Sequence, residues 1–143
     1  MGSALTGFFF EDLAVGMSAA FAKTVTEADI GTYAGVSGDF NPVHMNEEFA
    51  KGTMFKGRIA HGMLSAGFIS TVLGSKLPGP GCIYVSQTLK FKAPVHIGDT
   101  VTACVEVTRT VPEKKYVILK TICSVADKVV IDGEATLLVP SRT

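Results

Sequence analysis

The sequence has little of several features that mark common classes of protein. Thirteen lysine and arginine residues balance thirteen aspartate and glutamate residues, so the formal net charge is zero. This balance argues against a nucleic-acid-binding protein, which usually carries a basic excess, and against a polybasic membrane anchor. The three cysteines, Cys82, Cys104 and Cys123, are far apart and form no CxxC motif. We therefore interpret them as reduced core cysteines of a cytoplasmic protein.

Long apolar runs are also missing. The longest uncharged and mostly apolar stretch, Gly62 to Ser75, is shorter than the ~20 residues that a bilayer-spanning helix needs. Near the amino terminus, Glu11 and Asp12 arrive before an adequate signal-peptide core has formed, and no basic region precedes them. The sequence therefore predicts neither a membrane segment nor a secretory signal.

The composition is that of a folded domain. The chain has 143 residues, of which 47% are hydrophobic and 18% are charged, and nine are phenylalanine. Because a domain typically takes about 100–200 residues, we expect one domain, 1–143, with a core of its own. The high hydrophobic content also predicts that some apolar surface lies in a subunit interface.

Helix signals dominate the first half of the chain. Thr26 is expected to cap a helix that ends near Ser37, and Asn46 is expected to cap a short helix over Glu47 to Lys51. Between them, the sequence predicts a loop over Asp39 to Met45, because the residue before a proline avoids the helical region.

The segment Gly62 to Leu77 is the most apolar helix candidate. It carries no charge before Lys76, and its apolar residues occupy all faces. A helix that is hydrophobic all round is buried. The run Pro78-Gly79-Pro80-Gly81 is expected to end it.

Strand patterns dominate the second half. Turn-like connections at Pro112 to Lys114 and Ala126 to Lys128 predict hairpins and hence an antiparallel sheet, with a bulge at Gly133. A buried helix with a sheet curved around it is an α+β arrangement. The expected strands are Met17 to Thr24, Ile83 to Phe91, Thr100 to Thr108, Lys115 to Val125 and Val129 to Val139.

Asp39 and His44 form the most distinctive chemical pair in the sequence. They lie five residues apart on a loop that Gly38 and Pro42 make rigid. Such a loop can aim two titratable groups at one point, as general acid–base catalysis requires, and Asn41 can hold its shape by hydrogen bonding. A solvated turn is the alternative interpretation, because glycine, aspartate, asparagine and proline are turn residues.

A metal centre is a third interpretation of the same loop. Asp39 and His44 supply two ligands, and neither His61 nor His96 has a partner at helical or CxxC spacing. Because zinc sites use three or four protein ligands, we expect no metal.

A second segment, His61-Gly62-Met63, lies at the predicted start of the apolar helix. Backbone N–H groups at a helix amino terminus have no intrahelical partner and favour negative charge. Since Gly62 has no side chain, a ligand carbonyl can reach those groups, as an oxyanion hole requires. His61 is open to two interpretations, a capping or packing residue and a direct role in the site.

The segment Ser37-Gly-Asp-Phe-Asn-Pro-Val-His44, with Tyr33 before it and Ala50 after it, resembles the hydratase-2 motif of the MaoC-like, (R)-specific enoyl-CoA hydratases. The His61-Gly62-Met63 segment and the stretch from Gln87 to Asp99 are also similar to that family. The resemblance therefore covers nearly the whole chain. Within the family it points to the small single-domain bacterial enzymes that supply polyhydroxyalkanoate synthesis.

This resemblance implies a hot-dog fold, in which an antiparallel sheet wraps around a long central helix, and a homodimer. It implies catalytic roles for Asp39 and His44, a backbone oxyanion donor at Gly62 and a serine near the dyad at Ser70. The implied activity is (R)-specific hydration of a trans-2-enoyl-CoA thioester. No cofactor is implied, since coenzyme A enters only as part of the substrate.

Further site residues complete the expectation. Asn41 is expected to support the dyad, and His61 and Met63 are expected to contact the substrate. Candidate contacts for the coenzyme A phosphates rest on charge alone, and for most of them a solvated surface position is the alternative. These are Lys51, Lys56, Arg58, Lys90 and Lys92.

Three other functions remain as alternatives on a hot-dog fold. One is the dehydration of a carrier-bound acyl chain in fatty-acid synthesis, one is thioester hydrolysis, and one is non-catalytic acyl-CoA binding. The fold alone cannot separate them. The Asp–His pair favours hydration over thioester hydrolysis and argues against a non-catalytic module.

Overall fold

A computed structural model describes residues 5–143, so residues 1–4 of the expected domain lie outside the described part. Within residues 5–143, six strands form one antiparallel sheet. They are β1 (Ser18–Thr24), β2 (Ile83–Gln87), β3 (Lys90–Phe91), β4 (Thr100–Val111), β5 (Tyr116–Val125) and β6 (Lys128–Leu138). Their order is β1-β4-β5-β6-β2, and β3 also pairs with β6.

Helices occupy the first half of the chain. A short 3-10 helix (Phe10–Asp12) precedes β1, and the α-helices are α1 (Glu27–Ser37), α2 (Pro42–Met45), α3 (Glu47–Lys51) and α4 (Gly62–Ser75). Thr26 and Asn46 cap α1 and α3 as the sequence predicts, since each side chain accepts a backbone N–H of the first turn. No helix among residues 5–143 is long and apolar enough to cross a membrane.

The predicted hairpins are confirmed. Val111 pairs with Tyr116 and Val125 with Lys128 across the two turns. Lys115 and Ala126 adopt positive φ angles of 58° and 53° in these turns, which gives each hairpin the left-handed residue that tight turns require. All three cysteines are free, but the predicted core position is wrong for Cys104, which is exposed because it lies on the outer face of β4, while Cys82 is half-buried and Cys123 is buried.

Three details differ from the sequence prediction. The loop predicted over 39–45 contains α2, because Asn41 accepts the N–H of Val43 and proline is tolerated at the first helical position. The strand predicted over 83–91 is interrupted between β2 and β3. The bulge predicted at Gly133 is wrong, because the register shift lies at Cys123/Ser124. Gly133 instead meets the carbonyl oxygen of Thr88, which would lie 2.0 Å from an added Cβ.

The helix α4 packs on the sheet against β1, β4 and β5. Alternate β4 residues Val101, Ala103, Val105 and Val107 are fully buried in the core, so the predicted alternation is confirmed. The buried residues of α4 are Ser65, Ala66, Phe68, Ile69, Val72 and Leu73.

Burial of α4 on most sides is not observed in the single chain. A stripe of mostly small residues faces outward from the helix, and the helix ends at Ser75 rather than Leu77. This exposed stripe consists of Met63, Gly67, Ser70, Thr71 and Gly74. Met63 is the one large apolar side chain of this stripe, and its other members are glycine, serine and threonine.

Candidate active site

The loop after α1 sets the direction of Asp39. Gly38 ends the helix with a φ of 80°, and its N–H bonds back to Ala34 at 2.8 Å. The backbone N–H of Asn41 then donates to the Asp39 carboxylate at 3.2 Å, while the Asn41 side chain caps α2. Asn41 therefore shapes the loop, as its sequence position suggests.

His44 lies on α2 with only 8% of its surface exposed. Its Nδ1 lies 2.8 Å from the carbonyl oxygen of Ile59. A carbonyl can only accept, so Nδ1 carries the proton and the neutral ring keeps its lone pair on Nε2. Burial lowers the pKa of His44, and the nearby His61 ring lowers it further, which favours this neutral form.

His61 precedes α4 and is 2% exposed. Its Nε2 lies 2.9 Å from the backbone carbonyl oxygen of Asp39. The His61 ring also contacts the His44 ring, with centroids 4.0 Å apart, and the Tyr33 ring at 4.6 Å. The structure therefore brings together Asp39, His44 and His61.

These three side chains form a compact set of donor groups. One ligand atom from each lies within 4.8 Å of the others. The sequence indicates only two possible metal ligands here, and that count is wrong because His61 folds against the pair. A carboxylate and two imidazoles can bind a metal ion, and the same acceptors can hold and deprotonate a water molecule.

Gly62 begins α4 beside the ring of Phe91. A Cβ added to Gly62 would lie 2.6 Å from both Cδ1 and Cε1 of that ring. The first N–H groups of α4 have no intrahelical acceptor, and Phe91 lies directly against this end of the helix. The absence of a side chain at Gly62 therefore allows the Phe91 ring to pack directly against the amino terminus of α4.

A pocket of about 450 Å³ joins these groups. Five predicted site residues line it, namely Asp39, His44, His61, Gly62 and Met63. Apolar side chains form most of the remaining wall, among them Met54, Phe55, Ile59, Phe91, Val95 and Ile131. The pocket thus combines a polar cluster with a hydrophobic lining.

Ser70 lies elsewhere. It belongs to the exposed stripe of α4 and lines a second groove of about 530 Å³, together with Tyr33, Met63, Tyr84 and Val85. The single chain therefore does not bring Ser70 into the pocket of Asp39 and His44. Met63 lines both cavities and connects them.

Arg58 has a structural role that charge alone did not suggest. Its Nε donates to the His44 carbonyl at 2.6 Å, and its guanidinium forms two bonds to Glu27, at 2.5 and 2.7 Å. These bonds occupy the side chain, so Arg58 holds α2 and α1 together. Sequence reasoning also missed Phe91, because no local pattern reports a contact with Gly62.

The fold and the pocket define an α+β hot-dog protein with an aspartate and a histidine beside a helix amino terminus. Residues 13–132 match the family model described as "MaoC like domain". The chain belongs to this MaoC-like family.

Curated relatives agree with the family. The chain is 66% identical, over 94% of its length and 93% of the relative, to an (R)-specific enoyl-CoA hydratase of Rhodospirillum rubrum. It is 50% identical to a 3-hydroxybutyryl-CoA dehydratase of Methylorubrum extorquens, over 94% of this chain and 85% of that one.

Solved structures confirm the fold. An R-hydratase from Pseudomonas aeruginosa in the unliganded form has a TM-score of 0.89 and 42% identity, covering 95% of this chain and 88% of that chain. The (R)-hydratase from A. caviae involved in PHA biosynthesis has a TM-score of 0.88 and 41% identity, covering 91% and 99% respectively. The predicted hot-dog architecture is therefore confirmed.

Proposed function

We propose that this protein adds water to trans-2-enoyl-CoA thioesters to give (R)-3-hydroxyacyl-CoA, with Asp39 and His44 as its acid–base dyad. The observation that carries the proposal is the convergence of both side chains with the amino terminus of α4 in one apolar-walled pocket. The relatives named above support the same reaction class, a hydro-lyase acting on acyl-CoA thioesters.

The reaction needs a base for water, a proton for C2 and a partner for developing negative charge. The water donates a hydrogen bond to the Asp39 carboxylate or to the free Nε2 of His44, and its oxygen adds to C3. The dyad takes one proton from the water and returns one proton to C2, so its own protonation is unchanged. The thioester carbonyl oxygen accepts from the Gly62 N–H, where the helix terminus stabilises the enolate.

The apolar wall gives the acyl chain its place. Ile59, Val95 and Ile131 line the pocket on which the dyad opens. Burying methylene groups against these side chains contributes about 0.8 kcal/mol per CH₂. Because the dyad lies on one side of the bound acyl chain, the water oxygen at C3 and the proton at C2 are added to the same face of the double bond.

The chemistry proposed here uses no metal and no organic cofactor. Hydration of a thioester-activated double bond is redox-neutral and requires only proton transfers. Nδ1 of His44 and Nε2 of His61 already donate to backbone carbonyls. These bonds leave the Asp39 carboxylate and Nε2 of His44 available for water.

The active form proposed here is a cytoplasmic homodimer. Strand β2 lies at the edge of the sheet, where Ile83 and Val85 are 58% and 47% exposed. An apolar edge strand invites pairing with another chain, and the exposed stripe of α4 lies on the same groove as β2. A second copy placed there would cover both surfaces and enclose Ser70.

The direct test is an assay of crotonyl-CoA hydration, in which the loss of the enoyl absorbance gives the rate. Chiral analysis of the product then gives the stereochemistry. We expect (R)-3-hydroxybutyryl-CoA, at a rate that EDTA does not change. An (S) product, or release of free coenzyme A thiol without hydration, would overturn the proposal. Activity abolished by EDTA and restored by zinc would instead identify the Asp39–His44–His61 set as a metal centre.

A further inference from the structure

We propose that His61 is a positioning residue that fixes both members of the dyad, rather than a residue that binds the substrate. This inference rests on the proposed hydratase function. One ring contacts both dyad residues, since Nε2 lies 2.9 Å from the Asp39 carbonyl oxygen and the ring centroid lies 4.0 Å from that of His44. Its 2% exposure leaves the ring little freedom to move.

The hydrogen bond to Asp39 determines the tautomer of His61. The carbonyl oxygen can only accept, so in the neutral ring Nε2 carries the proton and Nδ1 carries the lone pair. A neutral His61 therefore has no N–H left for the thioester oxygen. The Gly62 N–H remains as the oxyanion donor at this end of α4.

His61 forms a hydrogen bond that connects Asp39 to a distant part of the chain. The other hydrogen bonds of Asp39 among residues 5–143 are local, from its own N–H to Ser37 Oγ at 3.1 Å and from the Asn41 N–H to its carboxylate at 3.2 Å. Asp39 itself is exposed. Among the bonds of the described residues, His61 links this loop to α4, 22 residues away in sequence.

The residues just before His61 hold His44 in a matching way. Arg58 Nε donates to the His44 carbonyl at 2.6 Å, and Ile59 accepts from His44 Nδ1 at 2.8 Å. The Ile59 N–H also donates to the Val43 carbonyl at 3.3 Å. Arg58, Ile59 and His61 thus hydrogen-bond to residues 39–44, whereas Ala60 bonds to Val95, and His61 is the member that reaches Asp39.

The second ring nitrogen of His61 is unpaired within residues 5–143. Nδ1 is buried and has no hydrogen-bond partner among the described residues, and the same is true of Ser65 Oγ one turn later. Both residues line the pocket. Because Nδ1 has no partner in the described part of the chain, the hydrogen bond from Nε2 to the Asp39 carbonyl oxygen is the one that orients the His61 ring.

Two substitutions separate positioning from simple packing. In His61→Gln, the amide nitrogen can occupy the place of Nε2 and donate to the Asp39 carbonyl. In His61→Asn, the side chain is shorter and ends near the place of Nδ1, so it cannot make this bond. Asparagine is thus the matched control for glutamine.

We expect His61→Asn to lower kcat for crotonyl-CoA roughly 10²-fold, the scale of a small misplacement of catalytic groups, with KM nearly unchanged. His61→Gln should recover at least about tenfold of that loss. Equal kcat in the two variants would overturn the inference. A rise in KM with unchanged kcat would also overturn it, in favour of substrate binding.

A measurement on the unmodified protein covers the case in which the variants do not fold. Nitrogen-15 NMR of the histidine side chains distinguishes the two neutral tautomers. We expect the proton of His61 on Nε2, and a proton on Nδ1 would overturn the inference. This result is independent of turnover, whereas failure of the hydratase proposal would appear as inactivity of the unmodified protein.

Discussion

Two backbone carbonyls decide which nitrogen of each histidine carries the proton in the neutral ring. The carbonyls of Ile59 and Asp39 accept from His44 Nδ1 and His61 Nε2. The neutral His44 ring therefore keeps its lone pair on Nε2, and one nitrogen of each ring lies within 4.8 Å of the Asp39 carboxylate. At the scale of single residues, the pocket is a cluster of acceptors suited to a water molecule, and the dyad is expected to act as a unit.

Removing either member of the dyad should stop most turnover. Asp39→Asn keeps the size but loses the base, and His44→Ala loses the second proton carrier. Each should lower kcat by roughly 10²–10⁴, the range of a general acid–base group. The double variant should be little worse than either single one, because the residues act together.

Steady-state kinetics with crotonyl-CoA measure this effect, and His96→Ala is the control because His96 is a half-exposed histidine outside the pocket. A single dyad variant that keeps more than about a tenth of the unmodified kcat, a loss of only ~1.4 kcal/mol, would disprove the assignment.

His44 also makes stability depend on pH. Burial lowers its pKa below the ordinary value of 6.5, whereas in the unfolded chain it binds a proton near that value. The neutral His44 ring therefore contributes its full share to the free energy of unfolding above pH 6.5. This contribution is lost as the pH falls from 6.5 through the pKa of the folded state.

We expect the free energy of unfolding in urea to decrease between about pH 7.5 and about pH 5.5, and to decrease less in His44→Gln. An NMR titration of the folded protein gives the direct check. A midpoint for the His44 ring at or above 6.5 would contradict the shift.

At the scale of elements, the site depends on how the start of α4 meets the short strand β3. Phe91 of β3 lies against Gly62, where no side chain intervenes. The ring is 52% exposed, so it can move without unfolding the core. The contact therefore constrains the shape of the pocket more than the stability of the fold.

Gly62→Ala should impair turnover with little loss of stability. The new Cβ would displace the Phe91 ring and crowd the approach of the thioester carbonyl to the helix terminus. We expect kcat to fall by up to ~10²–10³, the cost of losing an oxyanion donor. The melting temperature should change far less than it does for a buried core substitution.

Gly31→Ala is the matched control, since nothing lies within 4 Å of its added Cβ in α1. The combined variant Gly62→Ala/Phe91→Ala should regain part of the lost activity by removing the displaced ring. Normal kinetics in Gly62→Ala would remove Gly62 from the site.

At the scale of the whole molecule, one surface with exposed apolar side chains remains after the sheet and helices have packed. It combines the edge strand β2 with the exposed stripe of α4. The groove between them contains Ser70, Tyr84 and Val85. In our proposed homodimer a second chain covers the exposed apolar side chains of β2, and the small residues of the α4 stripe allow it to approach closely.

Light scattering should therefore give a mass twice the 15.1 kDa of the chain. Val85→Lys places a charge on the edge strand and should shift the protein towards monomer with reduced activity. Val15→Lys is the control, because Val15 is a 66% exposed loop residue away from this surface. A fully active monomer of the unmodified protein would contradict the proposal.

The sequence determined the features that depend on near neighbours. The caps at Thr26 and Asn46, the end of α1 at Gly38 and the alternation along β4 follow from local hydrogen bonds and side-chain period. The proximity of Asp39 and His44 is also local in origin, because the two residues are only five positions apart in the chain.

Only the tertiary structure decided which distant residues meet. His61 bonds to Asp39 across 22 residues, and Arg58 to Glu27 across 31. Phe91 comes to Gly62 because β3 pairs with β6 beside the start of α4. No local pattern encodes these contacts, since they depend on the path of the whole chain. For the same reason, the sequence indicates two possible metal ligands, whereas the fold brings together three, Asp39, His44 and His61.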